Sequence, residues 1–230
     1  MERPESTGFD HNVITTRIGA TVALENVTLS PPNSSRILVR DLSLAVAPGN
    51  HLLIMGPSGS GKSSLLRAIA GLWDSGQGTI ERPELADLLF LPQRPYMILG
   101  TLREQLIYPS AQSIADDDFL LETLNKVNLP DLAERFGGLD SLENWSSVLS
   151  LGEQQRIALA RVFINQPRYA ILDEATSALD VNNEAELYHA LTDLGTTFIS
   201  VGHRPTLRNF HRQCLEVQAE GRWQISPINN

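Results

Sequence analysis

The sequence predicts an α/β fold with a mostly parallel sheet, an antiparallel β portion at its N-terminal end and an inserted α-helical subdomain at about 100–165. Three observations predict it. A compact apolar run at 51–55 leads through a glycine-rich loop into 63–72, where Leu65, Leu66, Ile69 and Leu72 share one helical face. Short apolar runs at 88–91, 169–172 and 197–201 alternate with helical patterns at 153–164 and 183–194, as parallel strands alternate with crossover helices. From 101 to 136 the pattern is helical, with Phe119, Leu120, Thr123, Leu124 and Val127 on one face, and Gly137-Gly138 ends it.

The remaining elements follow in order. Residues 1–20, with Pro4, Gly8 and scattered charges, read as a tether, so the folded domain is expected over 21–230. Residues 22–29 and 42–46 read as strands joined through the turn Pro31-Pro32-Asn33-Ser34-Ser35. The tail at 214–226 reads as a closing hairpin around Glu220-Gly221.

Composition narrows the function classes. At 230 residues, 42% hydrophobic and 20% charged, the chain can bury one core. A formal net charge of −9 disfavours a general nucleic-acid role, since phosphate backbones recruit clustered Lys and Arg. The single cysteine, Cys214, allows no intrachain disulfide and suits a reducing compartment. No apolar run approaches the roughly 20 residues that span a bilayer.

Gly56-Pro57-Ser58-Gly59-Ser60-Gly61-Lys62-Ser63 fits G-x-x-x-x-G-K-[ST] in full, between the expected strand and helix. Glycines there let backbone N–H groups face phosphates, and the helix start, through Ser64, adds its positive dipole. Lys62 is expected to bridge the β- and γ-phosphates and Ser63 to reach Mg²⁺, which makes this a P-loop NTPase pattern with a nucleoside triphosphate as ligand. The run Tyr169-Ala170-Ile171-Leu172 ends in Asp173 and Glu174: Asp173 is expected to serve Mg²⁺ and Glu174 to polarise the attacking water.

Leu149-Ser150-Leu151-Gly152-Glu153-Gln154-Gln155-Arg156, placed just before Asp173-Glu174, resembles the signature of ABC transporter ATP-binding domains, usually Leu-Ser-Gly-Gly-Gln. Gln93 is similar to the Q-loop glutamine of that family, Ser177-Ala178-Leu179-Asp180 to its D-loop, and His203 to its switch histidine. Pro92-Gln93-Arg94-Pro95-Tyr96-Met97, Ile107-Tyr108-Pro109 and His203-Arg204-Pro205 resemble the peroxisomal fatty-acyl-CoA and lysosomal cobalamin half-transporters and their bacterial exporter-like relatives. The resemblance implies an ATPase that uses ATP and Mg²⁺ and dimerises head to tail with a second copy of itself. The signature residues Ser150, Gly152 and Glu153 would cover ATP held on the other copy's phosphate loop. Gln93 would ligate Mg²⁺, Asp180 would position the opposite site or else cap a helix, and His203 would hold the γ-phosphate and the water. It further implies a transmembrane domain preceding this chain on one polypeptide, with residues 1–20 as the linker, at the cytoplasmic face of a bacterial inner membrane.

Two departures from the family pattern stand out. Pro31 falls where an aromatic residue usually stacks on adenine, so looser contact through Pro31 and apolar neighbours is expected; Leu151 replaces a signature glycine. Tyr96-Met97-Ile98-Leu99 is an apolar string on a loop, expected either to receive a membrane partner or to pack inward. The competing class is a soluble ABC ATPase acting on nucleic acid or ribosomes; the compact spacing of phosphate loop and signature and the acidic charge weigh against it.

Overall fold

The computed structural model describes residues 13–32, 34–110 and 115–228. In chain order the elements are β1 Thr15–Ile18, β2 Val22–Leu29, β3 Val39–Val46, β4 Leu52–Met55, α1 Lys62–Ile69, β5 Gly76–Arg82, β6 Leu88–Leu91 and β7 Gly100–Thr101. There follow α2 Leu102–Ile107, α3 Asp117–Lys126, α4 Leu132–Phe136, β8 Leu142–Glu143, α5 Trp145–Val148, α6 Leu151–Asn165 and β9 Tyr169–Asp173. The chain closes with α7 Val181–Asp193, β10 Thr197–Val201, β11 Gln213–Val217 and β12 Trp223–Pro227.

The central sheet runs β12-β11-β4-β10-β9-β6 and is parallel except for β12, which pairs antiparallel with β11 as the expected closing hairpin. β9 and β10 are buried at every position. Such unalternating apolar runs suit a parallel sheet covered on both faces. A second sheet, β1-β5-β2-β3, carries the antiparallel portion. One core joins Leu65, Leu66 and Ile69 of α1 to β2, β3 and β4; the other joins the insertion, α6 and α7 to the opposite face of the central sheet.

Four expectations are corrected here. The domain starts before residue 21: β1 pairs with β5 and Ile14 is buried, so 13–20 belong to the fold, while residues 1–12 of the expected tether lie outside the described residues. β5 itself was not expected, because Gly76-Gln77-Gly78 lacks apolar alternation. Those glycines are required: a Cβ at Gly76 would lie 2.1 Å from the Thr28 carbonyl oxygen, and φ there is +147°. The first helix ends at Ile69 rather than 72, since Gly71 turns at φ +76°, which leaves Leu72 65% exposed. The helical stretch expected at 101–136 is divided into α2, α3 and α4; Thr101 caps α2 and Asp116 caps α3, accepting from the backbone of Glu104 and Phe119. Among the described residues, no helix is long and apolar enough to cross a membrane.

Candidate functional site

The carboxyl ends of β4 and β9, on either side of β10, face the glycine-rich loop that turns into α1, at the carboxyl edge of the parallel sheet where α/β folds gather ligands. Gly61 caps α1 at φ +104° with no side-chain bond to the first turn, so the leading N–H groups, including those of Lys62, Ser63 and Ser64, face outward from the helix start. Pro57, Ser58 and Gly59 form the exposed crest of the loop. Ser60 is buried, its Oγ without a partner, against the base of the loop, where a Cβ on Gly56 would meet the Val217 carbonyl oxygen at 2.2 Å. Lys62 lies inside that ring of backbone, its Nζ donating to the Gly56 and Pro57 carbonyls at 2.9 Å each. Burial lowers its pKa, partly opposed by Glu174 and Asp173.

Ser63 Oγ donates to Asp173 Oδ1 at 2.8 Å. Burial pushes the Asp173 carboxyl above the usual range, against the Ser63 hydrogen bond and the nearby Arg67. A hydroxyl beside a buried carboxylate is a hard-oxygen pair of the kind Mg²⁺ takes, and a cation there would offset the cost of ionising Asp173. These two residues fit that ion. Gln93, expected on the metal, donates through its Nε2 to Glu174 Oε2 at 2.7 Å, one residue beyond Asp173. His203 Nε2 lies 3.1 Å from Glu174 Oε1, so one carboxylate is held between the glutamine and the histidine. Glu174 itself sits at φ +51°, a left-handed conformation costly for a residue with a side chain, anchored by its N–H to the Val201 carbonyl.

The signature forms the start of α6. Ser150 caps it in a reciprocal box with Glu153, and Arg135 of α4 donates to the same carboxylate at 2.6 Å. Burial would raise the Glu153 pKa, but the bonds from Ser150 and Arg135 bring it below the usual carboxylate range. Leu151 is exposed, and a Cβ on Gly152 would lie 3.3 Å from the Ala178 carbonyl oxygen, so the signature abuts the 177–180 loop. Among the described residues, no hydrogen bond or ion pair links Ser150, Gly152 or Glu153 to the phosphate loop. Asp180 caps α7, its Oδ1 accepting from the backbone of Asn182 and Asn183 at 3.0 Å, which is the helix-capping alternative of the sequence reading.

The family model described as ABC transporter matches residues 39–177, which include the phosphate loop, the signature and the Asp173-Glu174 strand end. The chain belongs to the ABC transporter family. It corresponds to the ATPase domain, with the P-loop NTPase fold. Similar curated proteins include "Lysosomal cobalamin transporter ABCD4" of Homo sapiens, 47% identical over 217 residues, covering 89% of this chain and 36% of that protein. Others are "ABC transporter D family member 2, chloroplastic" of Arabidopsis thaliana, at 45% identity with 90% and 36% coverage, and "ATP-binding cassette sub-family D member 3" of Homo sapiens, at 42% with 90% and 32%. The chain thus spans about a third of the length of the curated relatives it matches. A solved structure, "Structure of a bacterial Atm1-family ABC exporter with ATP bound", matches with a TM-score of 0.79 at 25% identity, covering 94% of this chain and 40% of that one.

Three residues of this ABC ATPase domain were missed as individual contributors. Gln155 is fully buried: its Nε2 donates to the Gln93 carbonyl at 2.9 Å and to Ser177 Oγ at 3.2 Å, and its Oε1 accepts from the Ala178 N–H at 3.0 Å. One side chain therefore ties α6 to the Q-loop and the D-loop. Arg204, next to His203, donates to the Ser177 and Leu179 carbonyls and pairs with buried Glu184 at 3.3 Å. Arg135 is the third. Their partners lie 18 to 62 residues away in sequence, so local spacing carries no trace of them. Near the phosphate loop, a cavity of about 320 Å³ against Ser60 is lined by Arg36, Ile37 and Leu38, without Pro31. Leu38 packs against the phosphate loop, where a Cβ on Gly61 would lie 2.8 Å from the Leu38 Cβ.

Proposed function

We propose that the chain binds Mg-ATP on its own phosphate loop, closes head to tail on a second copy whose signature covers the γ-phosphate, and passes the cycle of closing and hydrolysis to a transmembrane domain. The observation that carries the reading is the Glu174 carboxylate, held between Gln93 and His203 at the end of the strand that presents Asp173 to Ser63. Lys62 and the N–H groups at 62–64 would grip the β- and γ-phosphates. Ser63 and Asp173 would hold Mg²⁺, which supplies charge neutralisation on the transferring phosphoryl group. Glu174 takes a proton from the attacking water, and His203 orients that water and the γ-phosphate.

The dimer follows from the split between the two half-sites. Ser150 is exposed at a helix start with no bond to the phosphate loop of its own chain, so a second copy supplies the natural partner. The relatives it matches over about a third of their length are named as transporters, which supports a partner membrane portion for this domain. Those relatives are named lysosomal and chloroplastic, which lends no support to the bacterial inner membrane; the proposal keeps only a membrane surface. Exposed Tyr96 and Leu99, at 63% and 94%, favour docking of that domain over inward packing.

The test is Glu174→Gln. ATP binding should persist, turnover should fall by about 10² to 10⁴, the scale of a general base, and Mg-ATP should drive dimers that survive a sizing column. Wild-type hydrolysis by this variant overturns the assignment of Glu174.

A further inference from the structure

Ser150 has one hydroxyl proton and two claimants for it. In the structure that proton goes to Glu153: Ser150 Oγ donates to Glu153 Oε2 at 2.7 Å, and the Ser150 N–H donates to the same oxygen at 2.8 Å. A γ-phosphate oxygen is an acceptor only, so it can take the Ser150 proton only by drawing it from the carboxylate. The family signature usually has a neutral glutamine at position 153. Here it is a carboxylate, a stronger acceptor and a like charge to the triphosphate.

The other oxygen of Glu153 is taken by Arg135, whose Nη2 lies 2.6 Å from Oε1. The guanidinium is steadied by the Phe136 ring, 5.0 Å from its carbon to the ring centroid, and Phe136 packs edge-on against buried Trp145 at 5.2 Å. An arginine on one oxygen withdraws charge from the whole carboxylate and lowers its hold on the donor at the other oxygen.

We propose that Arg135 is a positioning residue for ATP hydrolysis: by neutralising Glu153 it frees the Ser150 hydroxyl to serve the γ-phosphate across the dimer. This rests on the reading that Ser150 meets ATP held by a second copy. It also gives the helical insertion, through α4, a direct lever on the signature.

The experiment compares Arg135→Gln, Glu153→Gln and the double variant, each also in a Glu174→Gln background, with Ser150→Arg as reference. Arg135→Gln should bind Mg-ATP as a monomer within about twofold of wild type. It should require roughly tenfold more ATP for dimer formation and show a KM raised by a similar factor, the scale of one charge-assisted hydrogen bond. Glu153→Gln removes the competing charge, so the double variant should return to within about twofold of Glu153→Gln alone. A merely structural arginine would not be rescued in this way. An Arg135→Gln protein that dimerises like wild type, or a double variant as impaired as Arg135→Gln, overturns the proposal. Should Arg135→Gln fail to fold, Arg135→Lys takes its place, with a smaller shift in the same direction expected and the same outcome overturning it. If Ser150→Arg still forms ATP-driven dimers, the shared-site reading itself fails, an outcome separate from the arginine's.

Discussion

The Gln93 side chain and the Glu174 side chain are joined at 2.7 Å, so the loop that follows β6 is bonded directly to the carboxylate at the end of β9. The amide donates, which leaves Glu174 one oxygen on Gln93 and the other beside His203. A water approaching Glu174 must compete with both. Gln93→Ala removes a donor that steadies the base without touching the phosphate grip at Lys62. ATP affinity should change by less than about fivefold while kcat falls by roughly tenfold, the worth of one hydrogen bond to a charged group. Steady-state kinetics with calorimetric ATP titration separates the two, and loss of binding with kcat intact would argue that Gln93 serves the nucleotide instead.

Gln155 makes the second relationship testable. Replacing it by leucine keeps its volume and strands the Gln93 carbonyl, the Ala178 N–H and Ser177 Oγ. All three sit on exposed residues and are only partly shielded, so each stranded group costs about 1 kcal/mol, the low end of the range for an unmade hydrogen bond. At roughly 2–4 °C per kcal/mol for a domain of this size, the melting temperature should fall by about 5–15 °C. Turnover measured well below the melting point should drop as well, because the Q-loop and D-loop lose their common anchor. A Gln155→Leu protein melting within about 2 °C of wild type would show that the hub is dispensable.

Acid stability has a defined window. Burial lowers His51 to about 4, with Arg212 adding to the shift, and burial lowers His211 to about 4, opposed by its bond to the Leu207 carbonyl and assisted by His51. His51 stacks on Phe198 at 3.6 Å, and His211 stands edge-on to the same ring at 5.0 Å. Both stay neutral in the fold down to about pH 4, whereas in the unfolded chain they take up protons near the ordinary 6.5. The unfolded state therefore binds more protons between those values, and stability must fall as pH drops from about 6.5 to 4. At 1.36 kcal/mol per unit, each histidine contributes about 3 kcal/mol of loss by the acid end. Urea midpoints taken at pH 7.5, 6 and 5 should decline steadily. His211→Gln should flatten the slope, and an unchanged slope would move the acid sensitivity to other groups.

How much of this was legible in sequence depended on how locally each feature is specified. The phosphate loop, the strand ending in Asp173-Glu174 and the fully buried strands β9 and β10 each lie in one short window, where the chemistry or the covered sheet demands particular residue types. β1 and β5 were not legible: every β1 residue is exposed, and β5 opens on glycines chosen for close passage to Thr28 and Asn26 rather than for packing. Gln155 and Arg135 look like ordinary polar residues on helices, and only the fold brings them to Gln93 and Glu153. The position of Leu72 was misread because a glycine two residues after the helix end outweighs apolar periodicity.

The last prediction concerns how the ATPase domain is driven. Tyr96 and Leu99 project from the 92–99 loop, which opens on Pro92 and carries Pro95, and the Leu142 side chain, 73% exposed, lies on β8 opposite β7, the strand that begins right after Leu99. The loop is nevertheless ordered: Gln105 accepts from the Ile98 N–H at 3.0 Å and donates to the Ile98 carbonyl at 2.8 Å, and Met97 packs against the core, so Tyr96 and Leu99 are held outward on a fixed frame. The Tyr96 ring stands 6.1 Å from that of Tyr108, which in turn lies over the buried Arg161 guanidinium of α6. A helix from the membrane domain seated on Tyr96 and Leu99 would thus press on a loop that begins at Gln93 and on rings that reach α6, the helix that starts at Ser150. Tyr96→Ala removes an aromatic anchor from an exposed site, so the domain should keep its melting temperature within about 2 °C and its basal ATPase within about twofold. On the proposed function, the same variant assembled with its transmembrane domain should lose substrate-stimulated ATPase. If stimulation persists in Tyr96→Ala, or if the isolated domain loses its fold, the outward string serves packing and the membrane domain docks elsewhere.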